Sequence, residues 1–274
     1  MNAQLFNDPM ISGVDPMPAA VATQLQPAPL HLASVGTKAV ELDLDGGRLS
    51  SDAGVVLLKD IDDQLGLTRA LAAVLSDPRD GRRIHFTPED LLKQRVFQIA
   101  AGYEDANDAN TLRDDPIFKL LLDHLPETGA PLASQPTISR FENRISRTVL
   151  YRMALVLLEQ FIASYASPPS VIVLDVDDTE DPVHGEQEQA RYDSYYGGYC
   201  FMPLHLYEGL SGRLITTILK AKRFTGTQML AVLKRLVKHL RHAWPDTLVI
   251  FRGDSHFAYP EVMQWIDEQP DLHY

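Results

Sequence analysis

From Leu49 to about Ser164 apolar residues recur every three to four positions, a period that predicts helices. Val55, Val56, Leu58 and Ile61 begin one amphipathic run, and Leu65 to Leu75 extends or follows it. Thr87-Pro-Glu-Asp90 reads as a helix start, with Thr87 as N-cap, Pro88 in the first turn and Asp90 where a capping box usually has Glu. That helix runs through Leu91, Val96 and Ile99 to Gly102, and others are expected over 117–125, 137–145 and 148–163. Ser167-Pro-Pro-Ser170 ends the period. Beyond it short apolar runs predict strands at Val171 to Asp177, Tyr199 to Tyr207 and Arg213 to Leu219, with a turn at Gly209-Leu-Ser-Gly212. A helix follows, carrying Met229, Val232, Leu233, Leu236, Val237 and Leu240 on one face, and then a strand at Thr247 to Phe251. Residues 1–36 mix Pro, Ala, Gln and Asn without a period and read as a disordered tail. The pattern therefore divides the chain into that tail, a helical region over 37–167 and a mixed α/β region over 168–274.

Composition narrows the classes. With 45% apolar residues in 274, the chain can bury a substantial core. No apolar run is long enough to span a bilayer and the N-terminus lacks the order of a signal peptide, so a cytoplasmic location without membrane contact is expected. The single cysteine, Cys200, excludes an internal disulfide and a thiolate zinc cluster, and its aromatic neighbours suggest packing. A net charge of -12 argues mildly against nucleic acid, yet between Gly209 and Arg252 the only acid is Asp246, among Arg213, Lys220, Lys222, Arg223, Lys234, Arg235, Lys238, Arg241 and Arg252. Such a run is usually a solvated face, and becomes informative only beside a site that handles phosphate.

That site is suggested by Val171-Ile-Val-Leu-Asp-Val-Asp-Asp-Thr179, where a buried strand runs into a cluster of carboxylates. Two chemistries compete. Asp175-x-Asp177-x-Thr179 resembles the nucleophile motif of the haloacid dehalogenase superfamily, which would make the protein a phosphatase using Asp175 and Asp177. That superfamily alternates strand and helix and needs a late acidic pair, whereas here a hairpin follows and Gly253-Asp254 has no acid a few residues on. Alternatively, carboxylates from separate strands converge on metal ions, with Asp177 at the tip of the first strand and Asp254 at the tip of the last.

Several motifs favour the second chemistry. Leu174-Asp-Val-Asp-Asp-Thr-Glu-Asp-Pro-Val-His-Gly185, Ala190-Arg-Tyr192, Tyr195-Tyr-Gly-Gly-Tyr199, Pro203-Leu-His205 and Arg252-Gly-Asp-Ser255 occur in one order, preceded by Ser134-Gln-Pro-Thr-Ile-Ser-Arg-Phe-Glu-Asn143. Together they resemble the DDE transposases of bacterial insertion sequences, in particular the 1380 family, from about Leu49 to the C-terminus. The resemblance implies a ribonuclease-H-like domain with a mixed sheet, in which three antiparallel strands are followed by a helix and a fourth strand beside the first. It implies Mg2+ or Mn2+ as cofactor, double-stranded DNA at element ends as partner, metal-dependent phosphodiester cleavage and strand transfer, and leaves room for a homodimer in the intact protein.

Position by position, the resemblance makes Asp177 the first catalytic acid and Asp254 the second, both as metal ligands. Asp175 shares a strand face with Asp177 and could be the ligand instead, or a group supporting it. The family's third acid is a Glu on a later helix, and Glu261 and Glu268 follow Asp254 too closely to replace it. The chain is therefore expected to be the first part of a longer transposase, with Leu272-His-Tyr274 opening a fifth strand, inactive alone or serving as a non-catalytic DNA-binding remnant. Arg140 and Asn143, with Thr137 and Ser139, lie on a helix that either contacts DNA or simply packs. Lys234, Arg235, Lys238 and Arg241 would track the phosphate backbone. His184 and His205 either approach the metal or a phosphate or, as the preferred reading, are a turn and a packing residue, and Tyr192, Tyr195, Tyr196 and Tyr199 either stack on bases or brace a loop.

Overall fold

The computed structural model describes residues 29–42 and 51–274, so most of the expected tail lies outside the described residues. Its last part does not. Strands β1 (Leu30–Val35) and β2 (Lys38–Leu42) form an antiparallel hairpin. The two-residue turn between them uses Gly36 at φ +58, a left-handed conformation that glycine adopts without a steric penalty. Residues 30–36, expected to belong to the tail, are thus the first strand and turn of a hairpin.

The chain forms two compact units, one from residues up to 64 together with 94–134, the other from 65–93 together with 135–274. The first holds the hairpin and the helices α1 (Val55–Leu65), the later part of α3 (Pro88–Ala100), α4 (Ala109–Leu112) and α5 (Pro116–Leu121). Val55, Val56, Phe97, Leu112, Phe118, Leu121 and Leu132 form its core. Asp115 starts α5 by accepting from the amides of Ile117 and Phe118, with Pro116 in the first turn, where its missing N–H costs nothing.

The second unit begins with α2 (Leu67–Ala73) and the start of α3. The predicted cap is present: the Thr87 hydroxyl accepts from Asp90 N at 3.1 Å, and the Asp90 carboxylate accepts from Thr87 N at 2.8 Å. Helices α6 (Gln135–Glu142) and α7 (Arg147–Ala163) follow, and then β3 (Val171–Asp178). The helical region does not close as a body of its own at Ser167-Pro-Pro-Ser170. Leu158 and Phe161 of α7 sit in the same core as Ile172, Leu174 and Val176 of β3, and Thr216 donates to the Ala154 carbonyl at 2.8 Å. The prolines mark a connection between packed elements; local pattern cannot distinguish that from a linker.

After β3 come β4 (Asp181–Pro182), β5 (Arg191–Asp193), β6 (Gly198–Phe201), β7 (Leu204–Glu208) and β8 (Leu214–Ile218). The strand expected over Tyr199 to Tyr207 is two strands in different sheets. Pro203 has no amide to continue a ladder, so β6 joins β4 and β5 in a small sheet while β7 restarts in the large one. Helix α8 (Gly226–Ala243) begins at a capping box made by Thr225 and Gln228, and β9 (Leu248–Gly253), α9 (Pro260–Asp267) and β10 (Leu272–His273) complete the unit.

The large sheet has the order β10-β9-β3-β7-β8, with β3, β7 and β8 antiparallel in sequence and β9 and β10 parallel to β3 and to each other. It is a mixed α/β fold with the expected strand order. Met229, Leu233, Leu236 and Leu240 of α8 and Val262 and Ile266 of α9 join α7 over the face that carries Ile172, Leu174, Val176, Leu206, Ile215, Val249 and Phe251. The alternation of β3 therefore assigns Val173, Asp175 and Asp177 to the opposite face.

The turn after β7 rests on a buried acid. Glu208, 2% exposed, accepts from the amides of Val173 at 3.2 Å, Leu210 at 3.1 Å and Ser211 at 2.6 Å. Burial alone would raise its pKa, but these hydrogen bonds outweigh it and hold the carboxyl below its ordinary value of 4.5. A folded pKa below the unfolded one means stability that is complete above about pH 4.5 and lost as pH falls through the folded value. Glu208→Ala is expected to cost about 3 kcal/mol at neutral pH by orphaning buried amides. Denaturant midpoints of wild type and variant should therefore converge in acid.

Candidate two-carboxylate site

Register brings the acids together. Asp175 stands opposite Arg252 and Val176 opposite Gly253 across the parallel β3–β9 pair. One residue further, Asp177 is the penultimate residue of β3 and Asp254 follows the last residue of the adjoining β9. The preference of a parallel pair for even spacing makes this placement a property of the backbone rather than of side-chain rotamers. Asp177 is exposed at its strand end, and His205 of β7 is its partner on the other side. The His205 ring is set by Thr217, whose hydroxyl lies 3.0 Å from Nδ1. Of the two sequence readings of His205, packing or approach to the metal, the ladder keeps the second open by making it a neighbour of Asp177.

Asp254 lies in extended backbone (φ -72, ψ -178) just past β9 and caps a short helical turn over Ser255–Phe257. Its carboxylate accepts from His256 N at 2.9 Å, and His256 Nδ1 is also 2.9 Å away. These bonds to His256 hold the Asp254 carboxyl below its ordinary value of 3.8, so it is ionised at neutral pH.

Asp175 is engaged elsewhere. Arg252 grips it with both arms, Nε donating to Oδ1 at 2.6 Å and Nη2 to Oδ2. The guanidinium keeps this carboxyl below its ordinary value of 3.8. Gly209 makes room for the pair, because a β-carbon there would meet Arg252 Nη2 at 2.6 Å and Asp175 Oδ2 at 3.2 Å. Asp175 therefore supports the strand end, and Asp177 is the carboxylate of that face left facing solvent. The side chain of Asp178, on the other face, is only 11% exposed and pairs with Lys220 at 2.5 Å. Sequence reading missed both pairs. Arg252 stood in a motif and Lys220 in a basic run, and cross-strand register is needed to match them to their acids.

The basic segment is divided in the same way. Arg241 donates to the carbonyls of Thr247 at 2.6 Å, Pro270 at 2.9 Å and Asp271 at 2.7 Å, and at longer range to Pro245. It ties α8 to the ends of β9 and β10, and its guanidinium is consumed by carbonyls instead of being free for phosphate. Lys234, Arg235 and Lys238 are exposed on the outer face of α8, with Lys234 over the Trp265 ring at 5.4 Å. On α6, Arg140 is exposed, while Asn143 lies one residue past the helix and donates to Ser139 at 3.3 Å. Tyr192, Tyr195 and Tyr199 are well exposed, in edge-to-face pairs of Tyr192 with Tyr199 and Tyr195 with Tyr196. Cys200 is buried and its thiol is pushed up by burial and by nearby Asp193, Glu180 and Asp181, as befits a packing residue.

Chemically the site offers two strand-end carboxylates, hard oxygen donors that suit Mg2+ or Mn2+ rather than a soft metal. Among the described residues no three His, Cys, Asp or Glu side chains come together as a ligand set. No helix among the described residues is long and apolar enough to cross a membrane.

A search of curated proteins returns no match. Among solved structures, the chain is similar to a piggyBac transposase in a synaptic complex with hairpin DNA, at 14% identity and a TM-score of 0.35, over 82% of this chain and 50% of that one. The chain thus spans about half the length of that relative, and the likeness is too distant to bear on the assignment. The family profile described as Transposase DDE domain group 1 matches residues 32–274, across the helices, the sheet and both strand-end acids. The chain belongs to that DDE transposase family.

Proposed function

We propose that this chain carries the DNA-handling and metal-binding part of an insertion-sequence transposase of the 1380 type, built on a ribonuclease-H-like sheet. The observation that carries the reading is the placement of Asp177 and Asp254 at the ends of adjoining parallel strands. DDE transposase domains generally depend on divalent metals, which agrees with this donor set. Asp177 and Asp254 would hold Mg2+ or Mn2+, and the cation would supply Lewis-acid polarisation of a phosphodiester and a more acidic bound water. The protein's own groups do the positioning. His256 fixes the Asp254 carboxylate, and the Asp175–Arg252 pair keeps the neighbouring positions of β3 and β9 in register. Arg140 of α6 and the row Lys234, Arg235 and Lys238 of α8 are the cations proposed to meet the DNA backbone.

A phosphatase using Asp175 as nucleophile is less well supported. That carboxylate is occupied by Arg252 on both oxygens, and β3 is followed by antiparallel strands in place of a crossover helix. A DNA-binding role without catalysis uses the same basic residues, and only the metal site distinguishes it.

The DNA half of the reading is tested by titrating labelled duplex at about 50 and 200 mM salt, where some four phosphate contacts would lower affinity about a hundredfold. Lys234→Gln with Lys238→Gln should flatten that dependence. Binding that is absent at low salt, or indifferent to salt, would contradict it.

A further inference from the structure

A cavity of about 310 Å3 lies within the second unit, between the segment after α2, the start of α3 and the α6–α7 corner. Its size is at the small end of the ~300–1,000 Å3 range of ligand pockets. The lining combines apolar residues, Leu75, Leu91, Phe141 and Ile145, with three arginines, Arg79, Arg140 and Arg144. The one carboxylate in the lining, Asp77, is neutralised by Arg79, which donates to it through Nε at 2.7 Å and Nη2 at 2.5 Å. Asp77 also attracts Arg144 electrostatically, but with three guanidiniums and one carboxylate in the lining the cavity keeps an excess of positive charge. The N-terminus of the 17-residue α7 opens onto the same space through Ser146 and Val149. Arg140, Phe141 and Arg144 belong to the Ser134–Asn143 motif and the turn after it, a stretch that the strand-end acids leave unexplained.

A lone backbone phosphate needs only surface guanidiniums. A concave site lined by both cations and an aromatic ring matches a phosphate joined to a base, because the base offers a π-face and an apolar body. We propose that this cavity takes a single unpaired nucleotide of a DNA strand, its phosphate held by Arg140 and Arg144 and its base lying on Phe141. The proposal rests on the DNA-binding reading above. It adds that binding draws one nucleotide out of the stack, at a cost that is smallest where the base is already unpaired.

The test uses the full chain and two labelled duplexes that differ only by one extra, unpaired 2-aminopurine. The unpaired duplex should bind about tenfold tighter, within the worth of one base–aromatic stack. The 2-aminopurine emission should change on binding. Arg144→Gln, at an exposed position, should remove the preference and the emission change. Phe141→Leu should weaken both while leaving the fully paired duplex bound as before, with thermal melting to check that the half-buried position still folds. Equal affinity for the two duplexes, or a preference that survives both Arg140→Gln and Arg144→Gln, overturns the proposal and leaves the DNA reading standing. Binding to neither duplex overturns both. If dAMP binds at this cavity but the duplexes are not distinguished, the site serves free nucleotides and the DNA proposal fails.

Discussion

Lys220→Met is expected to destabilise the second unit by about 3–5 kcal/mol, the cost of leaving a buried carboxylate without its partner. Lys220 and Asp178 have side chains only 5% and 11% exposed and stand 2.5 Å apart. Burial lowers the Lys220 pKa more than Asp178 restores it. Water is thus withheld from the ammonium, and the pair is held by the closeness of opposite charges, since neither Lys220 Nζ nor Asp178 Oδ1 has an aligned hydrogen-bond partner. Removing the cation leaves Asp178 facing the same low dielectric with no charge to offset it. Removing both charges is a different experiment: Lys220→Met combined with Asp178→Leu should recover most of the loss, because neither desolvation term remains. Urea midpoints for wild type, Lys220→Met and the double variant decide the matter. A single variant within about 1 kcal/mol of wild type would show that the pair behaves like a solvated surface bridge. The effect reaches the site as well. Asp178 follows Asp177 directly, so a strand end that loses its anchor should also loosen the exposed carboxylate beside it.

Much of this architecture is legible from local pattern. The apolar run Val171–Leu174, the amphipathic face Met229–Leu240 and the Thr87–Asp90 cap each depend on neighbours a few residues away, and each appears where the pattern places it. What local pattern does not contain is pairing. Nothing in the order of residues says that Arg252 will face Asp175 or that Lys220 will reach Asp178, since both depend on register between strands far apart in sequence. For the same reason Asp175 and Asp177 looked equivalent by period, and only the guanidinium on Asp175 separates their roles. The apolar alternation from Tyr199 to Tyr207 suggested one strand because the interruption is a single missing amide, at Pro203. Arg241 read as a phosphate contact because its carbonyl partners gather from the ends of two other elements.

The central claim is that Asp177 and Asp254 form one divalent-metal site, and it is most directly tested by Mn2+ binding to the full chain, followed by calorimetry and by the paramagnetic resonance of free Mn2+. Second-layer partners of a metal site typically change affinity about 10–100-fold, so removing a direct ligand should cost at least about 100-fold. Asp177→Asn and Asp254→Asn keep the shape of the side chain and remove its charge, so each should weaken Mn2+ by that factor or more. Asp175→Asn removes a carboxylate already committed to Arg252 and should change binding less than about tenfold. That ordering is the result the account expects. Unchanged Mn2+ affinity in both Asp177→Asn and Asp254→Asn, or loss confined to Asp175→Asn, would contradict it.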